Sequence, residues 1–337
     1  MAQRRNRQVI LIERPAGIPH SDNFTILETL IGEPAEGQVL VQNRYLSVDP
    51  AMRGWVSAES NYAEPVALGG VMRASAVGTV IQSESTRLTV GDVVVGRLGW
   101  QDYAIVDDFA VRRLSDAHTR SLPPSLALGI LGTNGATAWL GLFGVGQPQR
   151  GDLVVVSTAA GAVGSAVGQL ARLTGCRTVG ITGSAHKVEV CESHYGFDVA
   201  LNYHSDDFER ELADVLAQGT DVYFDNTSGT ISDAVMTHLA HRARVVVCGT
   251  AAISSWDPWP DGPRVARHLL TRTARMEGFL IQDHADEVDG VVQKLVPMVE
   301  RGDLRYHEHV LDGLESAPGS IRGLYEGINL GKTIIRL

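Results

Sequence analysis

The sequence predicts an α/β protein in which a β-rich first part precedes a doubly wound parallel sheet. In the first part, short runs rich in Val, Ile, Tyr and Thr lie between Gly, Asp and Pro residues, as in 37–49, 74–83 and 91–106. This texture is typical of a small barrel or sandwich. After residue 124, strand-like and helix-like segments alternate, which predicts βαβ units. The stretch 157–175 contains a glycine-rich turn that joins one of these strands to the next helix, as in the first unit of such sheets.

Length, charge and cysteine usage narrow the class of protein. The 337 residues leave room for two domains with a buried core. The formal net charge is −10 and the only basic cluster lies at residues 4–7, so we expect no nucleic-acid partner. The apolar run at 9–12 is too short for a signal peptide or a membrane span. We therefore expect a cytoplasmic protein with no membrane partner.

The second half carries the alternating pattern in detail. The apolar segment 125–146 predicts one or two packed helices. Strands are then expected at 153–157, 178–182, 199–202, 222–224 and 244–248, and helices at 162–173, 187–194, 206–216 and 231–239. The pattern continues through 275–283 and a helix near 286–299, and the last thirty residues return to strand and turn.

The turn after the first of these strands has the spacing of a dinucleotide-binding loop. The three glycine positions of that fingerprint fall on Ala159, Gly161 and Gly164. Gly161 allows close approach of a pyrophosphate, and Gly164 allows the helix to pack close to the strand. The start of that helix offers unpaired amides and the positive end of its dipole. A helix-packing turn without a ligand is the alternative, and the βαβ context favours the nucleotide.

The end of the next strand favours NADP(H) over NAD(H). An NAD site usually has an acidic residue about 20 residues after the loop, on the ribose hydroxyls. Here the stretch "GITGSAHK" carries no carboxylate before Glu189, while Gly183 and Ser184 leave room and Lys187 supplies positive charge for a 2′-phosphate. The alternative is that Lys187 is an ordinary exposed lysine in the first turn of a helix.

Metal chemistry has little support in the sequence. Residues 1–128 contain no cysteine and only two histidines, His20 and His118. The cysteines Cys176, Cys191 and Cys248 form no CxxC pair and no disulfide framework. We therefore expect no bound metal.

Eight ordered segments resemble one family along essentially the whole chain. They are LSVDPAMRG (46–54), LGTNGATAWLGL (131–142), AAGAVGSAVGQLARLTGCR (159–177), GSAHK (183–187), DVYFDNTSG (221–229), VVVCG (245–249), RMEGFLI (275–281) and GINLGKTIIRL (327–337). The chain resembles the zinc-independent medium-chain dehydrogenases/reductases. Within them it is most similar to the NADPH-dependent double-bond reductases that act on alkenals, prostaglandins and curcumin.

The resemblance implies a domain organisation and an assembly. A Rossmann domain (129–304) would be inserted into a GroES-like β-barrel substrate domain (1–128), which the tail (305–337) completes. The active site would be the cleft between the two domains. The family also implies a homodimer formed through a late edge strand of the nucleotide-domain sheet, here MEGFLIQ (276–282).

The same resemblance implies a set of cofactor-binding residues. It assigns the adenine ribose phosphate to Lys187 and Tyr203 with Ser184 nearby, and it places Asn226, Cys248 and Gly249 near the nicotinamide. Together with the loop and a tail residue, the implied set is Ala160, Gly161, Ala162, Val163, Gly164, Gly183, Ser184, Lys187, Tyr203, Asn226, Cys248, Gly249 and Asn329. Alternatives remain: Tyr203 as a half-buried strand cap, Asn226 as a turn residue, and Cys248 as a small core residue.

The substrate side departs from the family pattern at two tyrosines. The family usually has DPYMRG where this chain has Ala51, and a tyrosine after the CG strand end where this chain has Trp256. An indole N–H donates a hydrogen bond but is no proton acid near neutral pH. The candidate contacts for the substrate oxygen are therefore Tyr62 and Trp256, and the proton donor is left open.

The reaction that the resemblance implies is NADPH-dependent reduction of the C=C bond of an α,β-unsaturated aldehyde or ketone, without a metal. Hydride transfer to the β-carbon leaves an enolate oxygen that needs hydrogen-bond donors. Two alternatives stay open. One is an NADPH-dependent quinone oxidoreductase, and the other is an NADPH-binding sensor with little turnover.

Overall fold

The computed structural model describes residues 4–58, 63–115, 119, 121–253 and 260–337. In chain order, the strands of these ranges are β1 (Arg4–Leu11), β2 (Phe24–Ile31), β3 (Gln38–Ser47), β4 (Ala76–Ser83), β5 (Val93–Gly96), β6 (Tyr103–Asp107), β7 (Val111–Arg113), β8 (Leu153–Ser157), β9 (Arg177–Thr182), β10 (Val199–Asn202), β11 (Thr220–Asp225), β12 (Leu239–Val247), β13 (Arg275–Gly278), β14 (Glu308–Asp312) and β15 (Lys332–Arg336). The α-helices are α1 (Met52–Val56), α2 (Thr133–Leu140), α3 (Ala162–Leu173), α4 (Ala185–Ser193), α5 (Phe208–Val215), α6 (Gly229–Met236), α7 (Ala266–Arg272), α8 (Val288–Glu300) and α9 (Ala317–Tyr325).

The chain divides into two compact units. The first comprises residues 1–128 and 308–337, and the second comprises 129–307. Residues 305–307 thus lie in the second unit, whereas the sequence-based division put them in the tail. The reason is local bonding: the Gln169 amide donates to the Arg305 carbonyl and accepts from its N–H, and the Tyr195 hydroxyl lies 3.0 Å from His307 Nδ1.

The first unit is built on a seven-stranded sheet. Its strand order is β14-β15-β3-β4-β5-β7, and β6 pairs with the first half of β3. The pairs are antiparallel except β14 with β15, and β1 and β2 form a separate antiparallel pair. Its buried core includes Val41, Leu46, Met72 and Trp100. The β-rich first part is confirmed, and this sheet is consistent with the expected GroES-like domain.

The second unit is a six-stranded sheet in the order β10-β9-β8-β11-β12-β13, and every pair in it is parallel. This is the order of a dinucleotide-binding sheet, in which the direction of winding reverses between the first and fourth strands. Here those strands are β8 and β11. The predicted α/β class and doubly wound sheet are confirmed.

The reversal has a direct consequence for ligand binding. Helices that connect strands on either side of the reversal leave a crevice above the carboxyl ends of β8 and β11, where open α/β sheets bind their ligands. The strand interiors are fully apolar and buried, with Val154, Val155 and Val156 of β8 beside Tyr223 and Phe224 of β11. Polar residues therefore stand out where these two strands end.

Candidate functional site

The turn between β8 and α3 is shaped to expose the start of the helix. Thr158 adopts a left-handed conformation (φ 55°), and the N–H of Gly161 donates to the Thr158 carbonyl at 2.9 Å. Gly161 is the N-cap and has no side chain to cap the helix, and the first turn contains no acidic residue. The first amides of α3 and the positive end of its dipole are therefore left to an anion.

Two glycines make this turn possible. A Cβ at Gly164 would lie 2.2 Å from the Thr158 carbonyl oxygen, and a Cβ at Gly161 would lie 2.9 Å from Thr158 Cγ2. The first contact is with backbone, so it cannot be relieved by a side-chain rotation. The close approach of α3 to the end of β8 thus requires Gly164, as the spacing of the loop predicts.

A second group of polar residues lies where β9 and β10 end. The Ser184 hydroxyl caps α4 by accepting from the N–H of Lys187 at 3.3 Å, and the N–H of Tyr203 donates to the Thr182 carbonyl at 3.0 Å. A Cβ at Gly183 would lie 3.2 Å from the Tyr203 hydroxyl. The structure therefore brings Gly183, Ser184, Lys187 and Tyr203 together.

The chemistry of this group favours a phosphate over ribose hydroxyls. Burial of the Lys187 ammonium lowers the pKa of Lys187, against a smaller opposite effect of Cys191. Tyr203 is 39% exposed and stacks near His204, with ring centroids 4.1 Å apart. An ammonium and two hydroxyls can bind a phosphomonoester, whereas the carboxylate that would bind ribose hydroxyls is missing from this stretch of sequence.

The ends of β11 and β12 are tied together by backbone bonds. The N–H groups of Cys248 and Gly249 both donate to the Asp225 carbonyl, at 2.8 Å and 3.1 Å. A Cβ at Gly249 would lie 2.7 Å from the Asn226 carbonyl oxygen, so this crossing also needs glycine. Burial, followed by the nearby Asp225 charge, raises the pKa of Cys248 to about 12. The Cys248 thiol is therefore no nucleophile at neutral pH.

Two polar residues that the sequence analysis did not single out connect the strands at the reversal. Ser157 ends β8 and Asp225 ends β11, and the Ser157 hydroxyl donates to Asp225 Oδ1 at 3.3 Å. The N–H of Asn226 donates to the same hydroxyl at 2.8 Å, and the Asn226 side-chain amide donates to the Ser157 carbonyl at 2.7 Å. The signal that could have found them is a polar residue closing an otherwise apolar strand, as in VVVS and VYFD.

The segment that departs from the family at Ala51 lies in the first unit, between β3 and α1. The Lys332 ammonium pairs with the Asp49 carboxylate and donates to the Val48 carbonyl at 2.8 Å. The Tyr325 hydroxyl donates to the Pro50 carbonyl at 2.9 Å. Both anchors come from the C-terminal tail, so the tail fixes the backbone immediately before Ala51.

Three predicted site residues lie either outside the described ranges or in the first unit. Tyr62 and Trp256, the candidate contacts for the substrate oxygen, lie outside the described residues. Asn329 lies in the first unit, where its side-chain amide donates to the Gly331 carbonyl at 3.1 Å. Their roles remain predictions.

Searches for a metal site and for a membrane span are negative within the described ranges. In those ranges no three His, Cys, Asp or Glu side chains are grouped so that they could hold a metal ion. Within the same ranges, no helix has both the length and the apolar character needed to cross a bilayer.

The geometry agrees with the family models that match the chain. A model described as the N-terminal domain of oxidoreductases matches residues 7–114, and one described as zinc-binding dehydrogenase matches residues 162–296. The chain belongs to the medium-chain dehydrogenase/reductase family. It is an oxidoreductase by this membership, and the resemblance stated from the sequence is confirmed.

Relatives within this family are similar over nearly the whole chain. The NADPH-dependent curcumin reductase of Escherichia coli is 40% identical over 342 residues, covering 99% of this chain and 98% of that protein. The NADP(+)-dependent 2-alkenal reductase of Nicotiana tabacum is 36% identical over 335 residues, covering 98% and 97%. The crystal structure of CurA in complex with NADPH from Vibrio vulnificus superimposes with a TM-score of 0.91 at 38% identity, covering 98% of each chain.

Proposed function

We propose that this protein is an NADPH-dependent reductase of the C=C bond of α,β-unsaturated aldehydes or ketones. The observation that carries the proposal is a pair of candidate anion sites at the carboxyl ends of the parallel strands. The uncapped start of α3 suits a pyrophosphate, and the group around Lys187 suits a 2′-phosphate. The full-length similarity to a curcumin reductase and a 2-alkenal reductase supports the reaction class.

The residues present fit the cofactor. The amides of Ala160, Ala162, Val163 and Gly164 would bind the pyrophosphate, and Gly161 would allow its close approach, in a turn that the close approach of Gly164 to Thr158 keeps narrow. Lys187, Ser184 and Tyr203 beside Gly183 would bind the 2′-phosphate. Asn226, Cys248 and Gly249, at the ends of β11 and β12, would border the nicotinamide.

The proposed reaction balances with one hydride and one proton. The bound cofactor supplies the hydride, two electrons with one hydrogen, which adds to the β-carbon of the substrate. The carbonyl oxygen then carries enolate charge that needs a hydrogen-bond donor, for which Tyr62 and Trp256 are the candidates. A proton from solvent completes the α-carbon. The proposal involves no metal, because a conjugated acceptor needs less polarisation than an isolated ketone.

We also propose a homodimer in the cytoplasm, formed through the edge of the parallel sheet. The support is the exposed edge strand β13, all four residues of which are solvent-accessible. Exposed apolar side chains occur on this strand and on the segments before and after it in the chain: Met276 of β13 is 36% exposed, Leu280 is 40% exposed and Leu270 is 81% exposed. An unpaired strand edge with apolar neighbours favours pairing with a second copy.

Consumption of NADPH at 340 nm with a panel of enals, enones and quinones tests the reaction. The proposal expects turnover with enals or enones and formation of the saturated carbonyl product. Turnover with quinones alone would favour the quinone oxidoreductase. Tight NADPH binding without consumption across the panel would favour the sensor, which the replacements at Ala51 and Trp256 keep open.

A further inference from the structure

A fully buried carboxylate lies at the point where the winding of the parallel sheet reverses. Asp225, the last residue of β11, is 0% exposed. Its Oδ1 accepts hydrogen bonds from the Tyr223 hydroxyl at 3.0 Å, from the N–H groups of Thr227 and Ser228 at 3.0 Å and 2.8 Å, and from the hydroxyls of Ser157 and Thr227 at 3.3 Å and 3.4 Å. Every group around Oδ1 is a donor, the closest being the Ser228 and Thr227 N–H groups and the Tyr223 hydroxyl, and such a surrounding favours the charged form of a carboxylate.

The other oxygen is different. Asp225 Oδ2 is buried and has no hydrogen-bond partner among the residues that the structure describes. A buried acceptor that is left without a donor costs free energy. All the hydrogen bonds by which Asp225 holds the surrounding turn end on Oδ1. Holding the turn therefore does not explain why a charged group with a second, unpartnered oxygen is buried here.

The Asp225 charge shifts the pKa of one side chain on its own strand, β11, and of one directly after the neighbouring strand, β12. Burial and then Asp225 raise the pKa of the Tyr223 hydroxyl, and the same two effects raise the pKa of the Cys248 thiol. Cys248 directly follows β12 and is one of the residues expected around the nicotinamide. A negative charge here acts through protein interior, where screening by water is weak.

Oxidised and reduced nicotinamide differ by one positive charge on the ring. We propose that the Asp225 carboxylate is a positioning residue for the nicotinamide half of the site. It holds Asn226 and the 227–228 turn, and its fixed charge stabilises the oxidised cofactor relative to the reduced cofactor, which favours release of the hydride. This inference rests on the proposed NADPH site.

The size of the effect follows from Coulomb's law. A unit charge at about 10 Å, with an effective dielectric constant of about 20, changes an affinity by about tenfold. Asp225→Asn keeps the shape and one oxygen acceptor but removes the charge. We therefore expect the ratio of the Kd for NADP⁺ to the Kd for NADPH to rise about tenfold in this variant.

The matched control is a carboxylate at the opposite end of the same strand. Asp221 lies at the start of β11, where its Oδ2 accepts from the N–H of Leu153 at 2.9 Å. Asp221→Asn removes the same charge far from the strand ends, and the ratio of the two Kd values should stay within about twofold, since interactions weaken with distance. Isothermal titration calorimetry with each cofactor form gives both constants without turnover.

A variant that adds a negative charge provides a second test, independent of the variant that removes one. Ser228→Asp adds a carboxylate on the same turn, at a residue whose unusual backbone (φ 56°, ψ −158°) the turn already holds with a side chain present, and should lower the ratio of the Kd values even if Asp225→Asn fails to fold. If Asp225→Asn raises both Kd values equally, or if Ser228→Asp leaves the ratio unchanged, the charge has no such role. Failure of the unmodified protein to bind NADPH would instead refute the proposed function.

Discussion

The narrow turn between β8 and α3 makes Gly164→Ala the most informative single substitution. The new Cβ would lie 2.2 Å from the Thr158 carbonyl oxygen and 2.8 Å from its carbon. Because carbon contacts settle near 3.5 Å, the backbone must separate by about 1 Å. Forced overpacking of this kind costs about 1–3 kcal/mol, and alanine returns less than about 1 kcal/mol through helix propensity. We expect a net loss of about 1 kcal/mol, and at most about 2 kcal/mol, in the free energy of unfolding.

The same displacement moves the amides that would bind the pyrophosphate. Loss of one hydrogen bond to a charged group costs about 1.5–3 kcal/mol, so the Kd for NADPH should rise at least about tenfold. Urea unfolding followed by far-UV circular dichroism gives the stability, and quenching of protein fluorescence by NADPH gives the affinity.

Gly290→Ala is the matched control. Gly290 is the third residue of α8, as Gly164 is the third residue of α3, and a Cβ there meets nothing within 4 Å. Alanine at this exposed position should stabilise the helix by up to about 1 kcal/mol and leave NADPH binding unchanged. The reasoning is refuted if Gly164→Ala unfolds at the same urea concentration as the unmodified protein. Lower stability with an unchanged Kd would show that the loop is not the phosphate site.

Three further predictions concern charge and assembly. Lys187→Ala should weaken NADPH binding by at least about tenfold and NADH binding little, because only NADPH has a 2′-phosphate. Burial lowers the pKa of Lys187, so this ammonium loses its charge at a lower pH than an exposed lysine does. The preference for NADPH should therefore decline as pH rises from 8 to 10. Equal affinities of the unmodified protein for NADPH and NADH would contradict this prediction. Burial raises the pKa of Glu308, so the folded state favours its neutral form, and Glu308→Gln should raise the urea midpoint at pH 8 but not at pH 4.5. A larger gain in the urea midpoint at pH 4.5 than at pH 8 would contradict this prediction. Leu270→Glu beside β13 should shift the protein from dimer to monomer in size-exclusion chromatography with light scattering, and an unchanged mass would exclude this edge as the interface.

Much of the fold follows from local sequence patterns. Strand β8, helix α3 and strand β10 have the bounds that the apolar runs predict, because their apolar residues recur with the period of a strand or a helix and turn residues flank them. Helix α4 begins two residues earlier than expected, since Ser184 serves as its N-cap. Strand β11 begins two residues earlier than expected and extends one residue further, to Asp225, because Thr220 and Asp225 both pair with β12.

Local sequence patterns also predict part of the candidate cofactor site. Gly161, Gly164 and Lys187 are predicted from spacing, from charge and from the missing carboxylate, since a phosphate needs close backbone approach and positive charge at fixed distances along the chain, and their binding roles stay predictions. Ser157 and Asp225 were missed because they lie 68 residues apart and meet only through strand pairing. The two tail residues that anchor the segment around Ala51, Lys332 and Tyr325, were missed for the same reason.

The sequence by itself determined the class of the sheet, the loop that would hold a pyrophosphate and the preference for a 2′-phosphate, because each of these depends on residues close together in the chain. Only the tertiary structure decided that β8 and β11 are neighbours. That adjacency places a buried carboxylate, with one oxygen saturated by donors and the other without a partner, below the strand ends where a nicotinamide would bind. Pairing between distant strands is set by the burial of whole apolar faces, and no short stretch of sequence contains that information.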